Sequence, residues 1–196
     1  MLLYNNSFTG GALMKYFMKI FKESIAIVIV SSLLGLFSGT ILSTNEKILY
    51  AIPILLLILP ALSSIVGDIS TVLISRLTAH LYIGTVPPEI QKSKRLKEDF
   101  IGLIITTFLS IVAVLIFGYI IMLYTGIAII NPFMIIFIIF LTIMLLFVLM
   151  FIILFICAIY VFKWGKDPNN SLIPFVTSLN DLAVPALLMI FIIIFI

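Results

Sequence analysis

Long apolar runs joined by short polar connections make up nearly the whole chain. Five runs, at about 24–42, 48–66, 100–124, 132–162 and 171–196, approach or exceed the roughly 20 helical residues that cross a hydrocarbon core ~30 Å thick. The pattern predicts an all-α integral membrane protein with five transmembrane helices. The connections leave no room for a separate soluble domain, so residues 1–196 read as one membrane domain. Neither an internal repeat nor a low-complexity tract interrupts it.

Ahead of the first run, Lys15, Lys19 and Lys22 share one helical face, at i, i+4 and i+7. Leu13, Phe17, Ile20 and Phe21 fall largely on another. Residues 1–23 therefore read as a helix lying in the membrane interface, an anchor more than a gate. No small-residue cleavage site follows the first apolar run cleanly, which argues against a signal peptide. Basic residues set orientation. They sit in the N-terminal segment, in the second-to-third connection (Lys92, Lys94, Arg95, Lys97) and in the fourth-to-fifth (Lys163, Lys166). The other two connections hold Lys47 alone. A cytoplasmic N-terminus puts all three basic segments inside and the C-terminus outside. Tyr50, Tyr124, Tyr160 and Trp164 fall near span ends, where amphipathic rings are enriched.

The second run does not stop where a span should. From 48 to 84 the only strong terminator is Gly67, and one unbroken helix would be about 55 Å long. A bend near Pro60 or Gly67, or an end projecting into the cytoplasm, is expected. Polar residues keep helical spacing through this segment: Ser64, Asp68, Thr71, Ser75 and Thr78 share one face. Arg76 and His80 lie four apart on a neighbouring face. Arg76 has two readings, a structural ion pair (Asp68 of a neighbouring helix being one partner) or an anchor to lipid phosphate. The last run repeats the pattern with Asn170, Pro174, Thr177, Asp181 and Pro185, flanked by Ser178 and Asn180. Counting from the run ends places Asp181 about 15 Å deep and Asp68 about 30 Å in, two different depths. Thr106, Thr107, Ser110, Gly118 and Thr142 are scattered small residues and read as packing.

Composition narrows the chemistry. The chain is 64% hydrophobic and 10% charged with a mean hydropathy of +1.40, too apolar to coat a soluble body. The net charge of +3 lies mainly beside the spans, so no nucleic-acid partner is implied. The single His80 is read as an interface residue, since a histidine-based transition-metal site needs more than one. Cys157 is the only cysteine and reads as a small apolar packing residue. A carboxylate in hydrocarbon costs roughly 2.5–3.5 kcal/mol on insertion scales, so Asp68 and Asp181 need a partner, water or a cation. The expectation is a protein that handles cations.

The run Pro60-Ala61-Leu62-Ser63-Ser64-Ile65-Val66-Gly67-Asp68-Ile69-Ser70-Thr71, continued by Ser75-Arg76-Leu77-Thr78 and Leu81-Tyr82-Ile83-Gly84, resembles the second-helix signature of the MgtE family of magnesium transporters. It is closest to the short archaeal members and the related eukaryotic solute carriers. Asp167-Pro168-Asn169-Asn170, Ile173-Pro174, Val176-Thr177 and Asp181 resemble the family's other signature. The resemblance implies a five-helix domain that forms a homodimer in the cell (plasma) membrane, with an ion pathway at the dimer axis. It also implies that Asp181 is the central residue of the metal site. The family's second-helix motif usually reads Gly-Asn; Gly67-Asp68 departs from it by adding a carboxyl group. The cytosolic magnesium-sensing domains of bacterial members have no counterpart in these residues, so their gating is not carried over.

Mg²⁺ holds its water and prefers octahedral oxygen ligands, so a pathway for it needs few charges and many outer-sphere oxygens. The candidate metal residues are Asp181 and Asp68, supported by Thr177, Asn170, Ser178, Asn180, Ser64, Thr71 and Ser75. The expected partners are the divalent cation, membrane lipid and a second copy of the chain. Proton- or sodium-coupled exchange of the cation fits the same residues. An intramembrane aspartyl protease is a reading of another class, resting on Gly67-Asp68, Asp181 and Pro185-Ala186-Leu187. It lacks the expected glycine at Ile65 and places its acids at unequal depths.

Overall fold

The computed structural model describes residues 10–91, 93–126 and 131–196. Six helices and no strand occur among them. They are α1 (Gly10–Thr44), α2 (Glu46–Ala51), α3 (Ile54–Ile83), α4 (Lys94–Thr125), α5 (Pro132–Lys163) and α6 (Pro168–Phe195). The last four are long and apolar enough to cross a membrane, and α1 contributes a shorter apolar stretch, Val28–Thr44. The chain is thus an all-α, multi-pass membrane protein.

Residues 1–9 and Lys92 lie outside the described residues, as do the side chains of Leu13, Lys19, Ile20 and Lys22, on which much of the expected interfacial helix rests. No break separates the backbone on either side of Ser24: α1 is one helix of 35 residues.

The largest departure from expectation is the start of the second span. The chain breaks at Ile52-Pro53, between α2 and α3, and then runs helical through both Pro60 and Gly67. Proline restricts the residue before it and lacks the N–H that would continue the helix. Ile52 accordingly takes φ −129°, ψ 72°. Pro60 does not break the helix, which continues through it. The apolar pattern hides this break, since Leu49, Ile52, Ile54 and Leu55 are all buried in the same core.

The other ends follow local chemistry. Gly84 and Gly126 close α3 and α4 in the left-handed region at φ 80° and 69°, where glycine has no steric cost. Ser93 caps α4 by accepting from the Leu96 N–H at 3.0 Å. Asp167 caps α6 by accepting from the Asn169 N–H at 2.9 Å, with Pro168 at the first helical position.

Packing sets α4, α3, α6 and α1 in a row, with α5 behind the first three. α5 is nearly all apolar and buries Ile138, Ile139, Ile143 and Leu154 against them. Gly118 lets α4 approach α3: an added Cβ would lie 3.2 Å from Ile58 Cγ2. Thr107 and Thr142 are buried with their hydroxyls bonded to Leu103 and Ile138 carbonyls, in keeping with packing.

Candidate cation site

α3 and α6 are joined by three successive reversals and so run antiparallel. Asn180 Nδ2 donates to Ser70 Oγ at 3.2 Å, which fixes their relative height. Asp68 lies two residues before Ser70 and Asp181 one residue after Asn180. At 1.5 Å per residue the two acids therefore stand within about 2 Å of one level. The unequal depths expected from the sequence are corrected. α3 starts at Ile54 and not at Ile48, so Asp68 is about 21 Å from its helix start and Asp181 about 20 Å from its own.

Both side chains are exposed on the protomer. Asp68 accepts a hydrogen bond from Ser64 at 3.3 Å. Among the described residues no hydrogen bond joins the two carboxyl groups, and neither acid pairs with a basic side chain. Asn170 and Ser75 are exposed, and Thr71 and Thr177 are half-buried. Thr71 donates to the Gly67 carbonyl at 2.9 Å and Thr177 to the Pro174 carbonyl at 3.1 Å. Both threonine oxygens keep lone pairs for water or an ion's hydration shell.

Two expected lining residues turn away. Asn180 is fully buried between α6 and α3, a helix-to-helix tie and not a lining group. It precedes Asp181 on the helix, and the 100° step between neighbours turns it into the α3 interface while the acid stays exposed. Ser178 is engaged with α1, donating to Ser31 Oγ at 2.7 Å. Replacing Asn180 by alanine removes the tie. A lower melting temperature in detergent is expected, by the small amount typical of membrane hydrogen bonds (about 0.6 kcal/mol on average), with uptake retained. Loss of uptake at an unchanged melting temperature would contradict that role.

Arg76 does not reach Asp68. Its Nε and a terminal nitrogen both meet Asp99 Oδ1 at 2.6 Å. Asp99 is buried, and its other oxygen lies 3.2 Å from His80 Nε2. His80 Nδ1 lies 2.8 Å from the Thr85 hydroxyl. This polar cluster locks the C-terminal end of α3 to the first turns of α4. Among the described residues Asp68 is thereby left without a basic partner. Asp99 was not among the expected site residues, because it follows the basic run 94–97 that reads as an orientation signal.

Asp68 also lines a groove of about 390 Å³ between α3 and α4. Gly102, Thr106 and Ser110 form its far wall, with Arg76 and Glu98 near its end. Thr106 and Ser110, expected as packing residues, thus line this groove. Their i, i+4, i+8 spacing with Gly102 is a stripe that the sequence carries and that faces Asp68.

The family model MgtE, described as a divalent cation transporter, matches residues 59–192, well over half of the chain. This chain belongs to the MgtE family. No curated protein and no solved structure matches it. Membership makes it a transporter of divalent cations and not an enzyme, which sets aside the protease reading even though the two acids share a level. The MgtE match spans α3 from Leu59 onward and nearly all of α6, the two helices that present Asp68 and Asp181.

Proposed function

We propose that this MgtE chain carries hydrated Mg²⁺ across a cell membrane along a polar pathway formed between two copies. The observation that carries this reading is the exposure of Asp181 and Asp68 at one level, midway along their helices, with no basic partner on either among the described residues. Facing lipid, each would cost roughly 2.5–3.5 kcal/mol even on the mildest scales. A second copy and a shared cation remove that cost.

In this reading Asp181 from each copy flanks the ion's hydration shell. A hexahydrated ion needs outer-sphere acceptors more than direct ligands. Thr177, Ser64 and Thr71, about one turn from the acids, orient its water there, and Ser75 and Asn170 orient it farther along the pathway. Asp68 adds a second pair of charges at the same tier and draws cations toward the axis. In this reading α1 is a fifth span beside the four long ones, and the basic connections orient the N-terminus inside and the C-terminus outside.

The test is flux into proteoliposomes from a panel of Mg²⁺, Mn²⁺, Co²⁺ and Ca²⁺, with no opposing ion gradient. Mg²⁺ uptake that follows membrane voltage is expected. Uptake that appears only with a proton or sodium gradient would replace the channel by an exchanger. No flux of Mg²⁺ under either condition sinks the Mg²⁺ assignment. Subunit counting by single-molecule photobleaching in the same vesicles should give two copies.

A further inference from the structure

Pro185 stands four residues after Asp181 inside α6. An uninterrupted helix would send the residue-185 N–H back to the Asp181 carbonyl, and proline has no N–H to send. A carbonyl released in this way must find another donor when water is excluded. It finds one on α1: the buried Ser38 hydroxyl donates to the Asp181 carbonyl at 2.7 Å. One helical turn inward, Ser178 and Ser31 make the second link between the same helices, also at 2.7 Å. Parallel helices require links in this order, 31 with 178 and 38 with 181. α1 packs chiefly along α6, so these two links hold it at the height of the acid.

We propose that Ser38 is a positioning residue for transport. By capping the carbonyl that Pro185 releases, it fixes the backbone of Asp181 and so the direction of the carboxyl group that meets the cation. This rests on the reading of Asp181 as the cation-site residue. Ser38 touches no cation itself. The serine lies in α1, before the matched segment 59–192, so this role belongs to a part of the chain that the family match does not describe.

The logic gives a suppressor test on the full chain in proteoliposomes, reading initial Mg²⁺ uptake against Mg²⁺ concentration. Ser38→Ala should lower the maximal rate or raise the half-saturating concentration by about fivefold, the scale of one lost hydrogen bond. Ser38→Thr, which keeps the hydroxyl, should restore most of it. Pro185→Ala supplies the missing N–H, so adding Ser38→Ala to it should change uptake by less than about twofold. An equal loss in both backgrounds overturns the proposal, as does wild-type uptake by Ser38→Ala. If Ser38→Ala alone does not fold, the Pro185→Ala background should rescue folding; a double variant that also fails overturns it. Asp181→Asn in the same assay separates the two claims. Wild-type flux from it removes the underlying reading, whereas a dead Asp181→Asn beside a normal Ser38→Ala removes only the role of Ser38.

Discussion

Asp181→Asn is expected to abolish Mg²⁺ uptake while the protein still folds and pairs. The side chain is exposed and has no hydrogen-bond or ion-pair partner among the described residues, so its neutralisation strands no buried group. The ties at its level use the residue's carbonyl and its neighbours, through Ser38 and through Asn180 with Ser70, and asparagine leaves them in place. Transport loses more. Two carboxylates about 9 Å apart, on either side of a hydrated ion, repel by roughly 2 kcal/mol at an effective dielectric of about 20, and a divalent ion between them reverses that sign. If two copies each contribute one charge-assisted contact of about 1.5 kcal/mol, as proposed above, losing both amounts to a drop of about 100-fold. Uptake is read in proteoliposomes, with melting temperature and subunit count measured on the same preparation. Wild-type uptake from this variant sinks the assignment of the site.

The asparagine variant also separates charge from shape. An amide keeps the size of the side chain and one oxygen acceptor but cannot offset the cation's charge. Asp68→Asn offers the milder contrast. The family's second-helix motif usually carries asparagine there, and Asp68 shares its tier with Asp181. Retained uptake with weaker affinity is the outcome that fits a supporting charge.

Much of this architecture is legible in the chain because its signals are local. Ser93, Asp167-Pro168, Gly84 and Gly126 mark helix ends by their own backbone chemistry. The stripes of α3 and α6 are visible as spacing alone. Register is not. Pro53 sits in unbroken apolar sequence, and only the tertiary position of Leu49 and Ile54 distinguishes a break there from one at Pro60. Misplacing that start by six residues moved Asp68 about 9 Å toward the inner edge and hid its match with Asp181. Pairing is not legible either. Arg76 had an acid eight residues away on its own helix, whereas its partner, Asp99, is 23 residues on across a turn. The Gly102–Thr106–Ser110 stripe was present in the sequence, but with no charge on it only the groove reveals what it faces.

That Arg76–Asp99 pair sets the second large effect. Asp99 is almost wholly buried, while the Arg76 side chain is 55% exposed. Removing the arginine therefore leaves a desolvated carboxylate with His80 as its one remaining ion-pair neighbour among the described residues. Breaking a fully buried pair costs about 3–5 kcal/mol, and the open side of the guanidinium argues for the lower end or below. Arg76→Ala should thus lower the melting temperature clearly. Removing both charges together, as Arg76→Ala with Asp99→Ala, should cost less than the sum of the two single changes, because no orphaned charge is left. Arg76→Lys should recover only part of the loss, since an ammonium cannot present two nitrogens to one carboxylate oxygen. The cluster ties α3 to α4 at the end of the groove that Asp68 lines. Loosening it should also slow Mg²⁺ uptake in vesicles, at temperatures where the variant is still folded. Additive losses in the double variant would show that the two side chains act independently, and the lock between α3 and α4 would then have to lie in their apolar packing.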